Sequence, residues 1–167
     1  MASVNCNNLV SIGTRAFENC PNLSIIELPN TVTSIGANAI NDCPYVVVFS
    51  KHSSQPSSWN VNWNPDNRPV IWGEGNPIET WDVSNSENDN VIAELYPNGN
   101  DRYTLVIRGK GQMNTELIIS KPWYSYTHKI ITGIICEGVT NVNYGCFFDC
   151  ENLTSIFLPQ SLMLIDD

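Results

Sequence analysis

Cys20-Pro-Asn-Leu23-Ser-Ile25-Ile26-Glu27-Leu28-Pro29-Asn-Thr-Val32-Thr-Ser-Ile35-Gly36-Ala-Asn-Ala39-Ile40-Asn-Asp-Cys43 is one repeat unit, and most of the chain can be laid against it. Cys43 follows Cys20 by 23 positions, and Cys43-Pro44 restarts the pattern. A shift of 130 carries Cys20, Leu23, Ile26, Leu28 and Pro29 onto Cys150, Leu153, Ile156, Leu158 and Pro159. A shift of 107 carries Val32, Ile35, Ala39, Ile40 and Cys43 onto Val139, Val142, Cys146, Phe147 and Cys150. A period of this size marks a solenoid.

Leu23–Leu28 is expected to be a short strand, rich in β-branched residues and stopped by Pro29, which has no N–H to give to a ladder. Val32–Ile35 is expected to be a second extended piece, ended by Gly36. Ala39-Ile40 then turns the chain toward the next Cys. The inward side chains are Leu23, Ile26, Leu28, Val32, Ile35, Ile40 and the Cys. So few buried groups cannot offset the entropy of ordering a whole unit, so each unit must stack on its neighbours.

Two stretches, Asn22-Leu-Ser-Ile-Ile-Glu-Leu-Pro-Asn-Thr-Val-Thr-Ser-Ile-Gly36 and Ala16-Phe-Glu-Asn-Cys-Pro-Asn-Leu23, resemble the leucine-rich repeats of BspA-like bacterial and protozoan surface proteins. The resemblance covers residues 5–49 and 130–166 directly. It implies a β-rich leucine-rich-repeat solenoid wound as a right-handed superhelix, with an intervening antiparallel β cap module and little or no long helix. It also implies a surface or secreted protein without catalytic activity, which adheres to host, matrix or neighbouring-cell proteins.

Net charge is −9 and the pI about 4.5. That speaks against a nucleic-acid partner, which calls for a basic footprint, and against attachment to anionic lipid. With 42% hydrophobic and 10% aromatic residues the chain reads as globular. No apolar run is long enough to span a bilayer, so no membrane insertion is expected. The start, Met-Ala-Ser-Val-Asn-Cys, lacks the basic and apolar regions of a signal peptide. On that expectation the chain is a fragment or leaves the cell by another route.

Six cysteines raise the question of disulfides. Cys6, Cys20, Cys43 and Cys150 share one repeat position, which suits buried free thiols acting as small hydrophobes. Cys146, standing where other units have Ala16 and Ala39, leaves a Cys146–Cys150 bridge open.

Four segments are expected. Residues 1–49 are a partial first array whose opening unit is shortened. Residues 50–77 are a Trp-rich terminal cap ending in the linker Glu74-Gly-Asn-Pro77. Residues 78–128 form the β cap module, with strands at Thr80–Val83, Val91–Tyr96 and Tyr103–Ile107 and hairpin turns at Pro97–Asp101 and Gly109-Lys-Gly111. Residues 129–167 begin a second array. Asn, frequent at Asn5, Asn7, Asn8, Asn19 and Asn22, suits tight corners because it tolerates left-handed backbone.

No catalytic residue, cofactor or metal site is expected. Gly109-Lys-Gly111 lacks the spacer and following Ser or Thr of a phosphate loop. His128, Cys136, Cys146 and Cys150 lack the paired spacing of structural zinc, and His52 has no evident orienting partner. Asp82, Glu87, Asp89 and Glu94 near Trp81 suggest a glycosidase pair less than solvated turn formers. Asn22 and Asn152 begin glycosylation sequons but share a corner position. The expected binding set is the outward strand residues Ser24, Glu27, Thr154 and Phe157. Self-association through open solenoid ends is a second expectation, with 153–165 stacking on 5–17. The competing function is carbohydrate binding by Trp59, Trp63, Trp72, Trp81 and Trp123.

Overall fold

Short β segments separated by Pro, Gly and Asn fold here into stacked rungs, each too small to bury its own apolar side chains. The computed structural model describes residues 2–5, 7–73, 76–115, 121–143 and 145–165. Cys6, the Glu74-Gly75 half of the expected linker and the terminal Asp166-Asp167 lie outside the described residues. The strands are β1 (Ala2–Asn5), β2 (Ser11–Ile12), β3 (Leu23–Leu28), β4 (Ser34–Ile35), β5 (Val47–Ser50) and β6 (Val70–Ile71). They continue with β7 (Glu79–Asp82), β8 (Asn90–Pro97), β9 (Tyr103–Lys110), β10 (Ile130–Ile135), β11 (Asn141–Val142), β12 (Ser155–Phe157) and β13 (Leu164–Ile165). The molecule is a β-solenoid with almost no helix; a 3-10 segment spans Tyr124–Lys129.

The chain divides into two units, Met1–Asn76 and Pro77–Asp167. In the first, β1, β3, β5 and β6 lie side by side in that order, all parallel, while β2 and β4 pair on a second side of the coil. Each pairing joins residues one repeat apart: Ile25 with Val47, Ile26 with Val48, Ser11 with Ser34. The remaining side is tied by turns, with Phe17 N donating to Ala39 O at 2.8 Å and Asn38 N to Asn62 O at 2.9 Å. Ile26, Leu28, Val32, Ile35, Ile40, Val48, Trp59 and Trp63 share the core, as the repeat predicts. Gly36 is needed where rungs close up, because a Cβ there would lie 2.4 Å from Thr14 N.

The second unit opens with the antiparallel strands β7, β8 and β9, and β9 then pairs in parallel with β10, and β10 with β12. One five-stranded sheet therefore runs through the expected boundary at 128/129, and β11 pairs with β13 beside it. The turn expected at Pro97–Asp101 joins β8 to β9, with left-handed Gly99, Asn100 and Asp101. Gly109-Lys-Gly111 departs from expectation. It makes no hairpin; β9 runs on through Lys110, and Gly111 bridges to Val139 in parallel as a corner of the coil. Gly109 is required by contact: at φ 128° a Cβ would fall 1.8 Å from Asn90 O across the ladder.

The residue before Cys20, Cys43 and Cys150 is left-handed: Asn19, Asp42 and Asp149 have φ of 56°, 56° and 59°, whereas Asn5, before Cys6, is extended in β1 opposite Glu27, so the expected equivalence of Cys6 with these cysteines does not hold. Asn and Asp tolerate this backbone, so the Asn/Asp-Cys step is a built-in corner. Asn7 and Asn22 are not among the left-handed residues, though Asn8 is.

Candidate functional site

Alternation along β3 is set by Ile26 and Leu28, both in the core, which leaves Ile25 and Glu27 pointing outward. The register extends this outward set across strands, from Ile25 to Val47 and from Glu27 to Phe49 and Ile71. Glu27 is exposed, Ile25 and Phe49 are half-buried, and Val47 and Ile71 are buried. In the second unit the matching outward column is Glu94, Val106, Ile134 and Phe157. There Glu94, Val106 and Ile134 are buried and Phe157 half-buried.

Of the four residues expected to bind, Glu27 and Phe157 occupy this outward face. Ser24 does not: it has 0% exposure and lies on the inward side of β3 with Ile26 and Leu28. Thr154, at the same repeat position, is exposed, yet its hydroxyl donates to Ile131 O at 2.9 Å and its amide donates to the same carbonyl. It ties one rung to the previous one. Leu23 and Ser24 are both buried, so strict alternation begins only after the strand's first residue and Leu23 gives the wrong phase for Ser24. Counting from Ile26 and Leu28 recovers Ile25, and the register adds Phe49.

On the same outward face Glu94 and Arg108 form a two-pronged ion pair, Nε to Oε2 at 2.6 Å and an Nη to Oε1 at 2.8 Å. Tyr96 OH donates to Glu94 Oε2 at 3.0 Å. Burial, then the neighbouring carboxylate, pushes the Tyr96 phenol well above its ordinary range, and Glu94's hydrogen bonds raise Arg108. Glu94 is thus held in place by Arg108 and Tyr96 together. Asp82 is held below its ordinary value by hydrogen bonds from Ser84, and Asp89 by those from Ser86 and Gln112. A general acid needs its carboxyl raised instead, so these two act as loop staples.

The tryptophans do not form a stacking platform. Trp59 and Trp63 are buried in the core with rings 5.2 Å apart, edge to face. Their indole N–H groups donate to Val32 O at 3.3 Å and Gln55 Oε1 at 3.2 Å. Trp123 is wholly buried and donates to Cys146 O at 3.0 Å. Only Trp72 and Trp81 keep partial exposure, and Trp81 leans on Trp123 and Tyr126. A sugar needs an open aromatic face, which three of the five lack.

Cys43, Cys136, Cys146 and Cys150 are buried free thiols, and Cys20 is half-buried. Cys43 donates to Phe17 O, one rung back, at 2.9 Å. Burial pushes the Cys136 thiol up to about 12 and raises Cys43, Cys146 and Cys150. Such thiols stay protonated and unreactive. Lys121 lies beside Cys146 and Cys150, its Nζ donating to Gly145 O and Phe148 O, with burial lowering its pKa. Asn152 of the second sequon donates to His128 O at 2.6 Å, as a corner residue does. No helix among the described residues is long and apolar enough to cross a membrane.

No curated protein matches the chain. Among solved structures it is similar to a leucine-rich repeat protein from Eubacterium ventriosum ATCC 27560, at 26% identity and a TM-score of 0.45. That likeness covers 53% of this chain and 22% of the other, so the chain spans about a fifth of that protein's length. The family model for the BspA type leucine rich repeat region matches residues 2–55 and 117–167, in six copies and over more than half of the chain. The chain belongs to the BspA type leucine-rich repeat family.

Proposed function

We propose that this chain is a non-enzymatic protein-binding module that meets its partner through the outward strand face. The observation that carries this reading is the exposed Glu27 set between half-buried Ile25 and Phe49. It makes an acidic and apolar patch on a sheet whose inward apolar side chains Ile26, Leu28 and Val48 lie in the core. Aromatic and aliphatic groups around one charge suit a protein surface with a basic residue in an apolar setting. Repeats of this family generally mediate protein interactions and are typically found at the cell surface or secreted. In that setting the partner is a host, matrix or neighbouring-cell protein and the activity is adhesion.

The test is surface binding to a panel of matrix proteins and to whole cells, comparing the native chain with Glu27→Lys and Phe49→Ser. The reading expects both variants to keep the native melting temperature within about 1 kcal/mol of stability while losing retention. Undiminished binding by both would overturn it. The carbohydrate alternative has weaker support, since only Trp72 and Trp81 retain any open surface.

A further inference from the structure

The five-stranded sheet of the second unit ends on β7, which pairs with β8 on one edge and, among the described residues, with nothing on the other. This edge lies well inside the chain, at Glu79–Asp82. Val83 N donates to Val91 O at 2.9 Å, and the register of β7 on β8 continues to that pair. Bonded and non-bonded residues alternate along an antiparallel pair, so Trp81 bonds to β8 while Thr80 and Asp82 turn their N–H and C=O groups away from it. Glu79, Thr80 and Asp82 are all exposed. β7 therefore offers an accessible row of backbone donors and acceptors.

The charge along this edge has one sign. No Lys, Arg or His occurs between Arg68 and Arg102, whereas Glu79, Asp82 and Glu87 fall in that stretch and are exposed. The cations of nearby elements are engaged elsewhere: Arg108 with Glu94 and Lys129 with Asp101, each at 2.6 Å. Glu79 and Trp81 stand opposite Leu95 and Ala93, on the side of the sheet that faces the core. There Trp81 is half-buried, with its ring 6.4 Å from that of Tyr126, and the Tyr126 hydroxyl donates to Glu79 Oε1 at 3.5 Å. The edge strand thus carries a carboxylate beside an aromatic ring on one face and a second carboxylate, Asp82, on the other.

We propose that the β7 edge takes up an extended basic segment of a partner protein as a sixth strand of the sheet. Thr80 and Asp82 exchange backbone hydrogen bonds with it, the mode by which a peptide adds to an open edge. Glu79 and Asp82 lie three positions apart, so two cations at the same separation in the incoming strand each meet a carboxylate across the ladder. The cation opposite Glu79 also lies beside the Trp81 ring, which suits a guanidinium. A second copy pairing β7 to β7 is disfavoured, because it would set carboxylates against carboxylates. The edge belongs to the second unit and Glu27 and Phe49 to the first, so this contact is independent of the strand-face reading.

The probe is a short peptide with two arginines three positions apart among valines and threonines, titrated onto the full chain and followed by fluorescence anisotropy. A second peptide carries glutamate in place of each arginine. The native chain should bind the arginine peptide, less tightly as salt is raised, and should leave the glutamate peptide free. The double variant Glu79→Lys with Asp82→Lys changes only exposed side chains, so it should melt as the native protein does. It should lose affinity for the arginine peptide by about tenfold or more and gain affinity for the glutamate peptide. Amide hydrogen exchange separates strand addition from charge attraction alone: the bound peptide should slow the Thr80 and Asp82 amides and leave Trp81 and Val83, already bonded to β8, unchanged. A native chain that ignores the arginine peptide or takes both peptides equally, a double variant that binds as the native chain does, or binding without protection of Thr80 and Asp82 would each overturn the proposal.

Discussion

Two rungs of this molecule have nearly the same sequence and opposite surroundings. Asn22-Leu23-Ser-Ile-Ile26-Glu-Leu28-Pro29 in the first unit matches Asn152-Leu153-Thr-Ser-Ile156-Phe-Leu158-Pro159 in the second. Leu28 is 1% exposed and Leu158 47%; Ile35 is 2% exposed and Ile165 59%. Both rungs hydrogen-bond to the rung before them, and among the described residues only the first has a rung after it. The same apolar pattern is a core in one place and an open surface in the other. Burial here is supplied by the neighbour, which is what separates a one-dimensional array from a globular core.

The sharpest way to break this comparison is to truncate both members of a pair. Leu28→Ala should cost about 2–5 kcal/mol, the range for a buried leucine in a packed core, while Leu158→Ala should cost under about 1 kcal/mol. Chemical denaturation of both variants reads the difference directly, and equal losses would show that the end rung is as well packed as the interior.

Removing Arg108 should come next. Arg108→Ala leaves the Glu94 carboxylate buried without its cation; with the guanidinium side chain 37% exposed, the loss should be about 2 kcal/mol, below the full range for a buried pair. The matching change at an open position, Glu27→Gln, should move the melting midpoint hardly at all.

Gly133 sharpens the comparison from another side. It pairs with Ile156 in register, and a Cβ on it would lie 2.6 Å from the Phe147 ring. Gly133→Ala should cost about 1–3 kcal/mol by overpacking, and Phe147→Leu in the same chain should recover part of the loss.

The thiols give a pH test. Cys136 titrates near 12 when folded against an ordinary 9.0, because burial disfavours the thiolate. Its contribution is complete below pH 9 and is lost as pH rises toward 12, where the unfolded chain releases its proton and the folded chain does not. The melting temperature should fall over that window. Cys136→Ala or Cys136→Ser should flatten the decline, measured by calorimetry at stepped pH. The smallest effect is expected from Ile165→Lys at the open end, within about 0.5 kcal/mol of native stability.

The repeat made the solenoid legible, because Leu23, Ile26, Leu28, Val32, Ile35 and Ile40 recur at spaced positions and all are buried. Trp59 and Trp63, expected to be bulky groups after the last full unit, lie in the core of the first unit. The outward face was half legible. Glu27 and Phe157 follow from alternation, while Ser24 was misplaced because Leu23 and Ser24 are both buried at the strand's start, where the alternation has not begun, and Thr154 is exposed but ties its rung to Ile131. Gly109-Lys-Gly111 carried turn chemistry that the fold uses for close approach to Asn90, a contact visible only once the register is known. Nor could local pattern tell that β9 would accept β10 in parallel and merge the cap strands with the repeats.

Amide hydrogen exchange, followed residue by residue in the native protein, tests the dependence on neighbours most directly. Interior amides such as Val48, Gly36 and Thr33, bonded between stacked rungs, should exchange only through near-global opening of their unit. Met163 and Thr154, bonded to one neighbour at the open end, should exchange far faster in dilute solution. Uniform protection along the coil, with Met163 as slow as Val48 in the dilute monomer, would contradict the account.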